Sequence, residues 1–486
     1  MAGLKTLPTA QADVQAARAF YKRAGALPQY DHCHEVYQTA ATAGIVEEDV
    51  VRSRRQPLER RWANVVLRRL SLFHVIDYDM VGKVALSMPQ ALTDERVMEE
   101  ILIYSRLTEL ERRGAPKTAF AELLNHGKRP LAPLIKMADY AVTHDTEDQL
   151  EGFIANGKPS IIRQYASVEE ARSSMKRDLK AGERIWARLA EVFGYQKIAG
   201  DIYFHSFKVN HPEIYSAVMA NMAEELTRLR LTHTQVVVGE VAKTVAGVLK
   251  SYGFEVEVTM RKVKHPGKQM RKVLDFMTED HESSSHEMSL DEYSRANASS
   301  FDFDRFNDRV ALRVIVKKLR GQDIDSLITA AGHPVEGCEN SLMGLGEVGR
   351  LMGHIPAEPL RLAVKAVSEV LSSLGLAFPD SLGSSVCNVE FKSKKNGYRG
   401  FHFDSRSEET DPMRVLPFEI QLKTPEWNDI SEHGKAAHYL YVRKNDPNVD
   451  PELIEMLGSA YQDVLYRPEN GNGGQKSERR PSILPP

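Results

Sequence analysis

The sequence predicts an α+β fold, in which an all-helical N-terminal half is followed by a mixed sheet of about five strands flanked by helices. Up to about residue 231, apolar residues recur at three- and four-residue spacing, which is the pattern of amphipathic helices. Beyond that point, several short segments alternate apolar and polar residues with period two, which is typical of half-buried strands. A chain of 486 residues is long enough for two to four domains.

In the helical half, the clearest helices are predicted at residues 97–113 and 181–195, with Gly and Pro residues between such segments. A further helix carries valines on one side and is predicted to end near Gly253, because glycine favours the left-handed conformation that stops a helix.

The five strands are predicted from the segments FEVEVTMRKVK, DRVALRVIVKK, CNVEFKS, YRGFHFDS and VLPFEIQLKT. A helix is expected over residues 360–374, and a last helix is expected to begin at Thr424-Pro425-Glu426, which combines an N-cap, an early proline and an early acid. We expect the polar inserts at 279–300 and 332–349 to be mobile loops, and the tail from about residue 467 to be disordered.

Composition limits the class of protein. The chain is 42% hydrophobic and 27% charged, as ordinary globular proteins are, and its net charge of -3 implies no overall attraction to nucleic acid or anionic membrane. Three widely spaced cysteines exclude a disulfide framework and a cysteine-type zinc module. The N-terminus lacks the apolar core of a signal peptide, and no apolar run approaches the ~20 residues of a membrane span. We therefore expect a cytoplasmic protein without a membrane partner.

Two charged features suggest chemistry. Residues 261–272 carry seven basic side chains if His265 is counted, and this stretch is either a solvated basic face or a cradle for polyphosphate. Asp308 and Glu419 lie on two predicted strands of one sheet. They are either satisfied edge charges or ligands of Mg²⁺, which typically binds one or two carboxylates together with substrate phosphates.

The stretch KKNGYRGFHFD, residues 394–404, combines a turn with an aromatic ring and cations. Asn396-Gly397 can turn tightly. Tyr398 either packs in the core of a hairpin or stacks on a nucleobase, a contact worth about 1–3 kcal/mol per base in nucleic-acid binders. Lys394 and Arg399 are placed to reach phosphate.

Four segments together resemble the synthetase domain of the RelA/SpoT alarmone enzymes. In the family's order, over about residues 234–444, they are KVKHPGKQMRK, FNDRVALRVIV, KKNGYRGFH and FEIQLKTPEWNDISEHGKAAHYLY. The resemblance implies a Mg²⁺-dependent pyrophosphokinase that transfers the β,γ-pyrophosphate of ATP to the 3′-hydroxyl of GDP or GTP, making (p)ppGpp and releasing AMP. Such phosphoryl transfer depends mainly on positioning and on electrostatic stabilisation.

The resemblance also implies residue roles. Asp308 would bind Mg²⁺ that bridges the ATP β and γ phosphates, and Glu419 would orient or deprotonate the acceptor hydroxyl and also contact the metal. The ATP phosphates would be bound by Lys262, Lys264, Arg271 and Lys272. The acceptor nucleotide would be bound by Lys394, Asn396, Tyr398, Gln421, Lys423 and His438.

The N-terminal half resembles the helical HD hydrolase domain of long family members, and LAPLIKMADYAVTH is similar to a family helix that places a metal-binding aspartate at Asp139. A working hydrolase would use a His, an adjacent His-Asp pair and a distant Asp around Mn²⁺. The expected region has no His-Asp pair; its nearest counterparts are His34 and His74, and Asp77 is not adjacent to His74. We interpret this half as a degenerate hydrolase domain, with His32 and His34 as surface histidines.

The implied domain limits are 1–200 for the degenerate hydrolase-like domain, 201–233 for connecting helices, 234–445 for the synthetase-like domain and 446–486 for the tail. The family's regulatory C-terminal domains are not recognisable, so ribosome-linked regulation is not expected.

The chain departs from the family pattern at several positions. Lys262 and Lys423 stand where Arg is usual, Lys268 stands where Ser is common, and the lysine-rich loop that precedes the NGY motif is not recognisable. Two alternatives therefore stay open. One is a toxin-like relative that pyrophosphorylates a tRNA 3′ end or an adenine nucleotide, and the other is a catalytically silent nucleotide-binding regulator.

Overall fold

The structure is a computed structural model, and most of its described residues are helical. It describes residues 9–47, 58–75, 92, 94–112, 131–142, 168–193, 195–231, 234–261, 265–283, 288–303, 310–331, 343–344, 355–373, 386–393, 399–406 and 418–432. Several predicted features lie outside the described residues: Lys262, Lys264, Asp77, Asp308, Lys394, Asn396, Tyr398, His438 and the tail.

The described part of the N-terminal half is helical throughout, as the sequence predicts. A π-helical turn at Gly182–Trp186 joins two of its α-helices. The α-helices are α1 Ala10–Ala24, α2 Leu27–Thr42, α3 Leu58–Phe73, α4 Glu95–Arg112, α5 Ala132–Val142, α6 Val168–Ala181, α7 Ala187–Val192, α8 Gln196–Asn210 and α9 Pro212–Leu231.

Helices α1 and α3 are held together by aromatic packing and by a buried ion pair. The rings of Phe20 and Tyr21 pack against Phe73, with centroids 6.0 and 6.2 Å away. Arg68 of α3 is fully buried, and its guanidinium donates to the carboxylate of Asp13 of α1 at 2.6 and 2.9 Å. Loss of either partner would leave a buried charge uncompensated, so this pair fixes how α3 lies on α1.

The described part of the C-terminal half is a mixed seven-stranded sheet with helices packed on it. Its strands are β1 Phe254–Arg261, β2 Val310–Leu319, β3 Gln322–Asp323, β4 Met343–Gly344, β5 Val386–Ser393, β6 Arg399–Arg406 and β7 Phe418–Lys423. Its helices are α10 Thr234–Ser251, α11 Pro266–Ser283, α12 Leu290–Asn297, α13 Ile324–Ala331, α14 Glu358–Ser373 and α15 Pro425–Glu432.

The strand order is β1-β2-β7-β6-β5-β4, with β3 paired to β2. Strands β2 and β7 run parallel and the other pairs are antiparallel. All five predicted strands are present, and the two additional strands among the described residues have two residues each. None of the described helices is long and apolar enough to cross a membrane.

The alternation along each strand gives the sheet one apolar and one polar face. Leu312 and Val314 of β2 and Ile420 of β7 lie in the core that α10 and α14 complete. The intervening residues, such as Glu419 and Gln421, face the other side. The chain leaves α10 through Gly253 at φ 88°, the left-handed stop predicted for that glycine.

The prediction that residues 279–300 form a mobile loop is wrong, because most of the described part is helical. Helix α11 continues to Ser283, and α12 begins at a capping box. The Ser289 side chain accepts a hydrogen bond from the Glu292 backbone N–H, and the Glu292 carboxylate accepts one from the Ser289 backbone N–H at 2.9 Å. The S-x-x-E spacing of this box is a helix start signal that the polar composition concealed. Within the second insert, Met343–Gly344 pairs with β5.

Helix α11 follows β1 in sequence but packs in the core of the helical half. Its buried residues Met270, Val273 and Met277 belong to that core, whereas α10 and β1 contribute to the core of the sheet. The residues of the two hydrophobic cores are therefore not separated at residue 233 of the chain, and the predicted domain limits stay predictions.

Glu100 of α4 fixes the start of α5 and carries a pH-dependent contribution to stability. Its buried carboxylate accepts hydrogen bonds from the backbone N–H groups of Leu131 and Ala132 at 2.7 and 2.9 Å. Burial raises the pKa of Glu100 from 4.5 to about 7, and the two N–H donors oppose that rise. Because the folded-state pKa is raised, this group favours folding most at low pH, and its contribution is lost as the pH rises from 4.5 through about 7.

We expect Glu100→Gln to remove this pH dependence, since the amide oxygen can still accept both hydrogen bonds but does not ionise. The free energy of unfolding of the wild type should fall relative to that of the variant by up to about 3 kcal/mol between pH 4.5 and pH 8. Urea unfolding across this range measures the difference. A constant difference between the two proteins would contradict the assignment.

Candidate functional site

The first candidate site is the polar face of the sheet, where side chains from four neighbouring strands lie in one row. Gln421 of β7 is opposite Arg313 of β2 on one side and His402 of β6 on the other, and His402 is opposite Glu390 of β5. Glu419 lies two residues before Gln421, on the same face. Neither the register nor the parallel pairing of β2 with β7 can be read from the strands separately.

Glu419 is buried and held by two neighbours on this face. Its side chain is only 8% exposed. His402 Nδ1 contacts one carboxylate oxygen, Oε1, and Gln421 Nε2 donates to the other, Oε2, at 2.7 Å. A hydrogen bond from His402 requires the proton on Nδ1. The carboxylate therefore has a fixed direction, which a group that orients or deprotonates a hydroxyl requires.

Lys423, the last residue of β7, is directed toward α15. It is 3% exposed, and its Nζ donates to the Ser431 hydroxyl at 2.9 Å. Helix α15 begins as predicted, with Thr424 Oγ1 accepting from the Trp427 backbone N–H at 3.2 Å. An acceptor role for Lys423 requires its ammonium group to be reachable by a ligand, and that role stays a prediction.

Lys268, Arg271 and Lys272 of the basic stretch contact the helical half or neighbours on α11. Arg271 pairs with Glu183 of the π-helical turn at 3.3 Å and with Asp275 at 2.7 Å. Lys268 Nζ lies 2.7 Å from the Glu191 carboxylate, and Lys272 Nζ lies over the ring of Phe276 at 5.8 Å from its centroid. The predicted binding of ATP phosphates by Arg271 and Lys272 would have to compete with or coexist with these contacts.

Sequence reasoning missed His402, although it lies within the quoted KKNGYRGFHFD segment. The strand alternation could have found it, because period two places His402 on the face opposite Phe401 and Phe403. Its pairing with Glu419 depends on which strand lies beside β6, and the segment alone does not contain that information.

The second candidate site is a cluster of His32, His74 and Asp139 inside the helical half. It joins α2, the residue that follows α3, and α5. One ligand atom from each residue can be chosen so that all three lie within 4.8 Å of one another. His32 Nε2 is 2.9 Å from Asp139 Oδ1, and His74 Nε2 is 3.6 Å from the same oxygen.

His74 is oriented toward this cluster by the turn that carries it. Its Nδ1 donates to the backbone carbonyl of Ser71 at 2.9 Å, which directs Nε2 toward Asp139. His74 is 2% exposed, and its Nε2 has no hydrogen-bond partner within the described part of the chain. A buried ring nitrogen without a hydrogen bond, next to a carboxylate and a second imidazole, is a set of donors that fits a divalent metal ion.

Without a metal ion, His74 holds a proton within this cluster. Burial lowers the pKa of His74, but the Cys33 sulfur and the Asp139 carboxylate outweigh it and raise that pKa to about 10. Burial likewise opposes ionisation of Asp139, but His32 and His74 hold the pKa of Asp139 well below its usual range. Metal binding here would release a proton, as binding to imidazole ligands generally does below their pKa.

His32 was interpreted as a surface histidine, and its side chain is 34% exposed, but its Nε2 also lies 2.9 Å from Asp139 Oδ1. His34 is partly buried and stacks on Tyr30, with ring centroids 5.5 Å apart. The family resemblance implies an adjacent His-Asp pair, whereas the structure brings an acid and two histidines together from three separate segments. The residue after His74 is Val75, which packs against the helical core.

A scan against protein-family models and a search of curated proteins found no match to this chain.

Proposed function

We propose that this chain is a Mg²⁺-dependent pyrophosphokinase that transfers the β,γ-pyrophosphate of ATP to the 3′-hydroxyl of GDP or GTP, making (p)ppGpp and AMP. The observation that supports this proposal most is the buried carboxylate of Glu419, which His402 and Gln421 hold on the polar face of a mixed sheet. The resemblance of four segments to the RelA/SpoT synthetase domain supports the identity of the reaction.

The surroundings of Glu419 favour one of its two expected roles. Because His402 and Gln421 each donate to a different carboxylate oxygen, the group is oriented in advance to receive a hydrogen bond from a hydroxyl. Mg²⁺ would neutralise negative charge on the triphosphate when bound. Its main protein ligand would be Asp308, with Glu419 contributing at most a second contact. His402 would act by positioning Glu419.

The test of this function is a panel of acceptors. Purified full-length protein is incubated with Mg²⁺, ATP labelled in its terminal phosphate, and GDP, GTP, ATP or deacylated tRNA. Label should appear on GDP or GTP, with AMP formed in equal amount. Label on tRNA or on an adenine nucleotide alone would replace this proposal with the toxin-like alternative. Absence of transfer to every acceptor would favour the silent regulator.

We propose as a second function that the helical half binds a divalent metal ion through His32, His74 and Asp139. The observation that favours it is the convergence of these three residues, together with the buried His74 Nε2, which makes no hydrogen bond within the described residues. Hydrolysis of (p)ppGpp is not expected, because the resemblance requires an acid directly after His74 and this chain has Val75 there. Mn²⁺-dependent release of pyrophosphate from ppGpp would overturn that expectation.

A further inference from the structure

We propose that Tyr104 sets both the geometry and the metal preference of the His32, His74 and Asp139 cluster. Its hydroxyl donates to one oxygen of Asp139, which favours metal binding through the other oxygen alone. The cluster then has three donors, two imidazole nitrogens and one carboxylate oxygen, and prefers Zn²⁺-like ions to Mn²⁺. This inference rests on the second proposed function, metal binding by the helical half.

The two oxygens of Asp139 have different neighbours. The Tyr104 hydroxyl of α4 donates to Oδ2. Both histidines approach Oδ1 instead, with His32 Nε2 at 2.9 Å and His74 Nε2 at 3.6 Å. A metal ion bound between the histidines would therefore contact Oδ1, while Oδ2 keeps its hydrogen bond from the Tyr104 hydroxyl.

Tyr104 is held in place on two sides. It is 5% exposed, and its ring lies against the ring of His74 with centroids 4.9 Å apart. The ammonium group of Lys136 lies 4.7 Å from the centroid of the Tyr104 ring and donates to the Thr108 hydroxyl at 2.6 Å. Since Lys136 is one turn before Asp139 on α5 and Thr108 is one turn after Tyr104 on α4, this contact ties the two helices together beside the cluster.

The donor set then determines the preferred metal. Two imidazoles and a single carboxylate oxygen are the three protein ligands found at zinc sites that keep a fourth position open. Mn²⁺ is better served by carboxylate, carbonyl and water oxygens, so a carboxylate restricted to one oxygen serves it less well. Hydrogen bonds to a ligating carboxylate are themselves worth about 10- to 100-fold in metal affinity.

The experiment compares full-length wild type with Tyr104→Phe and with Tyr140→Phe as a matched control. Tyr140 follows Asp139 on α5, and the centroid of its ring lies 5.3 Å from Lys136 Nζ. Each substitution keeps the aromatic ring and removes one hydroxyl group. Metal-free proteins are titrated with Zn²⁺, Co²⁺ and Mn²⁺, and binding is followed by calorimetry and by the visible spectrum of Co²⁺.

We expect Tyr104→Phe to weaken Zn²⁺ binding by about 10- to 100-fold and to reduce the ratio of Zn²⁺ to Mn²⁺ affinity by at least about tenfold. Tyr140→Phe should leave both quantities close to wild type. Wild type should give the intense visible bands of low-coordinate Co²⁺.

The outcomes separate the two proposals. A wild type that binds none of these metals would overturn metal binding and this inference with it. A wild type that binds Zn²⁺, with an unchanged Zn²⁺ to Mn²⁺ ratio in Tyr104→Phe, would overturn the inference alone. Weak, six-coordinate Co²⁺ bands in the wild type would overturn it as well, and this last measurement does not depend on whether the variant folds.

Discussion

Glu419→Gln is expected to abolish pyrophosphate transfer, with kcat reduced by about 10²- to 10⁴-fold and ATP affinity nearly unchanged. The substitution keeps the shape of the side chain but removes the negative charge that would ready the acceptor hydroxyl. Removing a positioned general base typically costs a factor of this size. The amide also replaces one of the two oxygens that accept hydrogen bonds from His402 and Gln421, so one of these donors loses its acceptor.

Glu390→Gln is the matched control. Glu390 lies in the same polar row, opposite His402, and its carboxylate is 3.4 Å from Lys392 Nζ on its own strand. The Glu390→Gln variant is expected to retain most of the wild-type kcat, because β6 separates Glu390 on β5 from Glu419 on β7. Initial rates with labelled ATP and calorimetric binding of ATP are measured on both variants, alongside thermal unfolding. A Glu419→Gln protein that is folded and fully active would sink the assignment of Glu419 as the base.

The strands of the C-terminal half could be predicted from the sequence because the signal is local. Period two in residues 254–260 reflects a strand with one face on α10, and the nearly continuous apolar run of β2 reflects a central position. The start of α15 and the stop at Gly253 were likewise encoded in a few neighbouring residues. The predicted strands and these two helix ends agree with the structure.

The site geometry could not be predicted in the same way, because it depends on contacts between distant segments. His32, His74 and Asp139 are separated by tens of residues, and only the packing of α2, α3 and α5 brings them together. Asp139 was expected to bind metal and His74 was noted, but the missing adjacent His-Asp pair hid that these two residues and His32 meet. The sequence did hold one indication of the site: His74 is a polar residue directly after the apolar end of α3.

The basic stretch shows the same limit. Its composition suggested phosphate binding, but two carboxylates of the helical half that contact Lys268 and Arg271, Glu191 and Glu183, lie about 80 residues earlier in the chain. These ion pairs are mostly buried, and they form because α11 crosses α8 closely enough to bring its cations to the π-helical turn and α7. The two helices can approach this closely because Gly267, which has no side chain, lies where they cross.

Gly267→Ala is expected to destabilise the protein by about 3 kcal/mol, at the upper end of the usual cost of overpacking. A methyl carbon at Gly267 would lie 2.0 Å from the carbonyl oxygen of Gly200 and 2.5 Å from the backbone nitrogen of Phe204. Both obstacles are backbone atoms of α8, so a side-chain rotation cannot relieve them. Helix α11 would have to move away from α8, which would also lengthen the ion pairs of Lys268 and Arg271.

Gly247→Ala separates this steric effect from the effect of helix propensity. Gly247 lies on the exposed side of α10, and a methyl carbon there would meet nothing within 4 Å. Alanine should therefore stabilise α10 by about 0.5–1 kcal/mol, because it restricts the unfolded chain more than glycine does. Urea unfolding of both variants gives the comparison. If both substitutions stabilise the protein equally, α11 does not cross α8 as closely as the structure requires. If Gly267→Ala lowers the free energy of unfolding and Gly247→Ala raises it, the destabilisation arises at the helix crossing.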